Sequence, residues 1–242
     1  MTDRSTILRE MGLTPIWGLR GATAQATEMS SEQLQATAAS VAGPSAPIEQ
    51  SGPNREAAIA LMSWQALVSS ITNCTACKLA ETRNQTVPGS GDRQPAWMVI
   101  GDAPDENEEK QGEPFLGKAG QLLDAMLAAV AKKRTQGVFL TNVVKCRPPG
   151  NRAPDSDEIT ACAPYLKRQI ALASPRLLLT AGEFAGQTLL NREDSVGALR
   201  AEGGHFAGIP VVVTYHPSYL LRLPLEKSKA WDDLMKASAL GA

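Results

Sequence analysis

The chain has 242 residues, 43% of them hydrophobic and 20% charged, with a net charge of −1. That length accommodates one sizeable domain with a tail, and the near-neutral balance excludes a global basic field that would by itself announce nucleic acid. No apolar run is long enough to cross a bilayer and no apolar leader opens the chain, so a cytoplasmic protein without membrane attachment is expected.

The first segment in chain order is ILREMGLTPIWGL, whose apolar residues include Ile7, Leu8, Met11, Leu13, Ile16 and Trp17. A short apolar stretch on a tether either docks a partner or folds back onto its own domain. Residues 7–17 are the candidate contact for a protein partner. From Gly21 to Pro53 the chain is rich in Ala, Ser, Thr and Gln, with glutamates as its only charges and no aromatic residue. Such a stretch cannot bury enough apolar area to offset its ordering entropy. Residues 1–53 therefore read as a docking segment and disordered linker, and residues 54–242 as the folded domain.

Within that domain helical and strand patterns alternate. Asn54 is a candidate cap for a helix that carries Ile59, Met62, Leu67 and Ile71. Trp97–Gly101 is a short apolar strand, Ala119–Lys132 has one apolar helical face, and Val138–Asn142 is a second strand. Asp155 and Glu158 form a capping-box pattern opening a helix that Pro164 must kink or restart. Arg176–Ala181 and Val211–Tyr215 add two further strands. Four apolar strands separated by helices predict an α/β fold, a three-layer αβα sandwich with a central four-stranded parallel sheet. Ligands bind such sheets at the carboxyl ends of the strands.

The cysteines are Cys74, Cys77, Cys146 and Cys162, and the chain has no others. A zinc ribbon repeats a tight C-x-x-C pair, and no second tight pair exists here. Two close thiolates with two dispersed ones suit an iron–sulfur cube better. Four unrelated buried cysteines, or two disulfides, are the alternatives; a reducing cytosol argues against the latter.

The residues beyond each strand carry the remaining chemistry. Gly101-Asp102-Ala103-Pro104-Asp105 leads to Glu108 and then to Phe115. Asn142 is followed by Lys145-Cys146-Arg147, and the last strand by His216-Pro217-Ser218-Tyr219. A carboxylate, an amide, an imidazole and a ring collected on one rim can grip a small planar polar ligand. Gly89-Ser90-Gly91 offers backbone amides to a phosphate, and Lys145, Arg147 and Arg152 form a local basic cluster.

Taken together, GDAPDENEEKQGEPFLGKAGQLL, TNVVKCRPPGNRAP, HPSYLLR and the cysteine spacing resemble the uracil-DNA glycosylase superfamily. The resemblance is closest to its iron–sulfur-containing family 4, and it covers residues 74 to 222. It implies hydrolytic excision of uracil from DNA, a [4Fe–4S] cluster on Cys74, Cys77, Cys146 and Cys162, and a monomer engaging uracil-containing DNA. Phe115 matches the ring that stacks on the flipped base, Asn142 the reader of its edge and His216 the donor to the departing uracil. Ala103 and Glu108 fall in the base-binding stretch. Gly89, Gly91, Lys145, Arg147, Leu220, Leu221 and Arg222 match DNA-contacting positions, the leucines as a minor-groove wedge. Asp102 stands where the family usually has Glu and is expected to place the attacking water. Asp105 replaces a glycine and adds negative charge. These departures leave a second reading, a catalytically weakened iron–sulfur paralogue that acts by binding.

Overall fold

The computed structural model describes residues 53–241, all of them in one compact unit, Ala46–Ala242. The proposed docking segment and linker lie outside the described residues. Two helices come first, α1 (Pro53–Ala60) and α2 (Trp64–Thr72), where the apolar spacing predicts a single one. Ser63 divides them. Its backbone is extended, and its hydroxyl accepts the Ala66 N–H at 3.3 Å, which starts a fresh helix.

The chain continues through α3 (Leu79–Thr82), β1 (Ser90–Gly91), β2 (Trp97–Gly101), α4 (Glu106–Gln111), α5 (Gly117–Ala129) and β3 (Val138–Asn142). Then follow α6 (Ser156–Ala173), β4 (Leu177–Ala181), α7 (Glu183–Leu190), α8 (Val196–Glu202), β5 (Gly204–Phe206) and β6 (Ile209–Thr214). The last helices are α9 (Pro217–Arg222) and α10 (Lys227–Leu240). Helix α6 opens on the expected capping box, with Glu158 accepting the Asp155 N–H at 2.8 Å. It runs on through Pro164 as one helix instead of restarting there.

The sheet is six-stranded and mixed, in the order β1-β3-β2-β4-β6-β5, which corrects the expected four-stranded parallel sheet. Strands β3, β2, β4 and β6 pair in parallel, and β1 and β5 add antiparallel edges. Those edge strands are two and three residues long, too short to show any alternation in sequence. Every residue of β2, β3 and β4 is buried, as helices on both faces require. On one face Trp97, Val99, Leu140 and Leu179 pack with Leu123 and Leu127 of α5 and Leu234 of α10. On the other, Met98, Ile100, Phe139 and Leu178 meet Leu166 and Ile170 of α6 and Ala185 of α7. No described helix is long and apolar enough to cross a membrane.

Helix α5 packs tightly against the turn that precedes it. A Cβ on Gly120, in the first turn of α5, would collide with the backbone carbonyl of Phe115. Backbone cannot yield as a flexible side chain does. Gly120→Ala is therefore expected to destabilise the fold by about 1–3 kcal/mol, the range for overpacking, as a lower urea midpoint at unchanged m-value.

Candidate active site

Strand β2 ends at Gly101 and β3 at Asn142, and these two residues are register partners. Side chains alternate faces along a strand, so Asn142 emerges on the face of Val138 and Leu140, where Phe115 also packs. Gly101 sits beneath both. A Cβ there would collide with Asn142 Oδ1 and with the Phe115 ring, so glycine is what allows an amide and a ring to close over the strand end. Both are buried, Phe115 to 1% exposure and Asn142 to 2%.

Phe115 holds an unusual backbone, with φ of +55°, a region that costs a non-glycine residue on the order of 1–3 kcal/mol. Neighbouring groups impose it. The Glu108 carboxylate accepts the Phe115 N–H at 2.7 Å and bonds the Leu116 N–H, while Arg134 donates to the Phe115 carbonyl at 2.9 Å. The same carboxylate receives the Asp105 N–H at 3.2 Å and the Asn142 amide at 3.5 Å. Burial, reinforced by the charge of Asp105, pushes the Glu108 carboxyl up to about 7.

His216 faces Phe115 in an offset stack, ring centroids 5.8 Å apart and 25° between planes. It is the N-cap of α9: Nδ1 accepts the Ser218 N–H at 3.2 Å and lies 2.7 Å from the Ser218 hydroxyl. A backbone donor on Nδ1 leaves the ring proton on Nε2. Burial drives the imidazole down to about 4, so it is neutral at physiological pH.

The structure does not bring Asp102 to this group. One residue beyond Gly101, it turns to the opposite face of the sheet. There its Oδ1 accepts the Ala185 N–H at 2.7 Å, and the Phe184 N–H also bonds the carboxylate. Asp102 thus caps α7, and Gly182 before that helix has φ of +127° and no space for a Cβ against the carboxylate. Ala103 packs against the same core face. Asp105, expected as an intruding charge, is the N-cap of α4, accepting Asn107 and Glu108 N–H groups at 2.8 and 2.9 Å with φ of −90°. No glycine is needed there. The D-x-x-E pattern at 105–108 is the sequence signal for this capping box, of the same kind as its twin at 155–158.

Cys74, Cys77, Cys146 and Cys162 line a single cavity, together with Arg83, Lys145 and Tyr165. Arg83 donates to Cys146 Sγ at 3.3 Å and Arg55 approaches Cys74 Sγ at 3.7 Å. Burial raises the thiols of Cys77 and Cys146 and takes that of Cys162 to about 12. Among the described residues, no group of three or more His, Cys, Asp or Glu side chains is arranged to hold a single metal ion.

The sequence model of the uracil DNA glycosylase superfamily matches residues 88–235. The chain belongs to that superfamily. It is 39% identical over 181 residues to a Type-4 uracil-DNA glycosylase of Pyrobaculum aerophilum, covering 72% of this chain and 92% of the relative. To the Type-4 enzyme of Sulfurisphaera tokodaii it is 37% identical over 186 residues, covering 74% and 84%. To a Type-5 uracil-DNA glycosylase of Pyrobaculum aerophilum it is 33% identical over 153 residues, covering 55% and 66%.

Several positions expected to touch DNA are turned inward or already paired. Lys145 is 1% exposed, its Nζ bonded to Thr141 Oγ1 and to the Asn142 carbonyl at 2.7 and 2.5 Å, so it faces inward and cannot reach a phosphate. Arg147 bonds Asn151 at 2.7 Å and faces Glu106 and Glu109 at 3.7 and 3.6 Å. Arg152 grips the buried Glu158 through both terminal guanidinium nitrogens. Gly89 and Gly91 have φ of +124° and +116° and press against β3, where a Cβ would strike backbone carbonyls. Leu220 is 1% exposed and belongs to the core, so it is no wedge. Leu221 and Arg222 are exposed, and so are Leu223 and Leu225, which no sequence motif singles out.

Two titrations test these environments. The Asp102 carboxyl is raised from its ordinary range to about 7, so its contribution to stability is complete at acid pH and is lost as pH rises toward 7. Asp102→Asn keeps the acceptor without the charge; its melting temperature relative to the unaltered protein is expected to climb from about pH 4 to about pH 7 and then level off. His216 is expected to titrate with an NMR midpoint near 4; with only one other histidine in the chain, His205→Gln gives the assignment.

Proposed function

We propose that this chain is a base-excision repair enzyme that flips uracil out of DNA and hydrolyses its N-glycosidic bond, leaving an abasic site, the activity named for its Type-4 relatives. The observation that carries the reading is the group of Phe115, Asn142 and a neutral His216 gathered beside bare Gly101 at the strand ends. Extruding a base costs on the order of a few kcal/mol, which contacts in the pocket return. Phe115 supplies the stacking face. Asn142 reads the pyrimidine edge, its amide oriented by Glu108, and the backbone at Ala103 flanks the base. As the bond stretches, negative charge gathers on uracil and positive charge on the sugar. The Nε2–H of His216 donates to the uracil oxygen and keeps its proton, so the gain is greatest in the transition state. Asn142 positions the water that attacks C1′, because Asp102 is engaged in capping α7.

The competing reading, a weakened paralogue that acts by binding, rested on Asp102 being shorter than the family's Glu and on Asp105 adding charge in place of a glycine. Asp105 caps α4, and similarity to Type-4 glycosylases along most of the chain supports excision over binding alone.

The same reading puts a [4Fe–4S] cluster in the cysteine cavity. Four thiols line it, they do not converge on one ion, and the cations Arg55, Arg83 and Lys145 stand beside them, with Glu158 near Cys77. That donor set fits thiolates bound to separate irons of an anionic cluster. When bound, the cluster supplies bracing between α2, α3, the segment after β3 and α6. A reducing cytoplasm keeps these thiols available.

Incubation with uracil-containing single- and double-stranded oligonucleotides, followed by alkaline cleavage, tests the activity: strand scission at uracil is expected. Asn142→Ala is expected to slow single-turnover excision by about a hundredfold or more while abasic-site DNA still binds, and equal loss of both would remove Asn142 from the base-reading role.

A further inference from the structure

Lys145 is where the base pocket and the cysteine cavity meet. It lines the cavity, is 1% exposed, and its ammonium donates to Thr141 Oγ1 and the Asn142 carbonyl. Both acceptors are neutral. No carboxylate pairs with this ammonium among the described residues, and the groups near it that can carry negative charge are Cys162 and Cys146. An isolated buried cation is costly unless a counter-charge stands beside it. Bound thiolates and the cluster they hold would be that counter-charge. The segment Lys145 belongs to is also tied to the pocket floor. Val143 and Val144 donate to the Gly101 and Asp102 carbonyls at 2.8 and 3.2 Å, and the Lys145 carbonyl accepts the Val87 N–H at 2.7 Å.

We infer that Lys145 is a positioning residue that couples an occupied cysteine cavity to base reading: the anionic occupant holds the ammonium, and the ammonium holds the last two residues of β3 so that Asn142 faces the base. The inference rests on the proposed cluster and the proposed glycosylase activity. It assigns an inward, relaying role to a lysine that charge alone would send to the phosphates. An end of β3 displaced by about an ångström is enough to cost on the order of a hundredfold in a positioned reaction.

The test uses the full chain carrying its iron, with two variants. Thr141→Val removes one acceptor of the ammonium, together with that hydroxyl's bond to the Pro88 carbonyl or Gln169, and leaves the cavity lining and its charge alone. Lys145→Met keeps much of the side chain's length and removes both charge and donors. Three quantities are measured: iron and sulfide per chain, the reduction potential of the bound cluster, and single-turnover excision beside affinity for abasic-site DNA. For Thr141→Val the expected result is full iron, affinity within about threefold and excision slowed about tenfold or more. Lys145→Met is expected to shift the potential negative, since a nearby cation favours the added electron, and to slow excision at least as far. A structural filler would move neither the potential nor the split between rate and affinity. Thr141→Val at the unaltered rate, or iron-replete Lys145→Met with unaltered rate and potential, overturns the coupling alone. Unaltered protein that retains no iron overturns the cluster reading and the coupling together. If Lys145→Met fails to fold, Thr141→Val still decides the matter.

Discussion

The Glu108 carboxylate organises the pocket from inside the protein, and most of the site's geometry follows from its bonds. One oxygen holds the backbone of Phe115; the other closes the capping box that starts α4 and receives the Asn142 amide. A buried carboxylate is tolerable only when donors surround it, and those donors are the elements that must be fixed relative to one another. The loop after β2, the turn at Phe115 and the end of β3 thus share one acceptor. This explains why Phe115 can keep a left-handed backbone: Glu108 on its N–H and Arg134 on its carbonyl over-determine the turn.

The chemistry the pocket can perform depends equally on desolvation. His216 is held neutral because its ring is buried and its Nδ1 faces a backbone donor, which leaves a single N–H to offer. A neutral donor in a site shielded from water stabilises developing negative charge without first being paired by it. The two aspartates that depart from the family pattern do not compete with this arrangement. Each satisfies the first turn of a helix, Asp102 at α7 and Asp105 at α4, so their oxygens answer helix N–H groups.

Near-neutral net charge also acquires a physical meaning. Arg152, Arg147 and Lys167 are engaged with Glu158, Glu106, Glu109 and Glu56, while Arg55, Arg83 and Lys145 turn toward the thiols. The basic run that reads as a phosphate patch is largely internal wiring. At the end of α9 and just beyond it the exposed side chains are instead Arg222 and the leucines at 221, 223 and 225.

Local patterns in the chain specify most element types and the strands Trp97–Gly101 and Val138–Asn142 to the residue, and the resemblance of its motifs points to the superfamily and to Phe115, Asn142, His216 and four cysteines as candidates. The strands are carried by continuous apolar runs, which need no knowledge of neighbours. Folding in three dimensions was needed to settle which way each side chain faces. Gly101 and Asp102 are adjacent in sequence, yet strand alternation sends one under the pocket and the other to α7. Leu220 and Leu221 are as similar as two residues can be, and helical rotation buries the first while exposing the second. Lys145 looks like a phosphate ligand until the fold closes over it. The edge strands β1 and β5 stayed illegible because their pairing energy comes entirely from partners distant in the chain, and Pro164 sits within α6 because packing on both sides outweighs its local penalty.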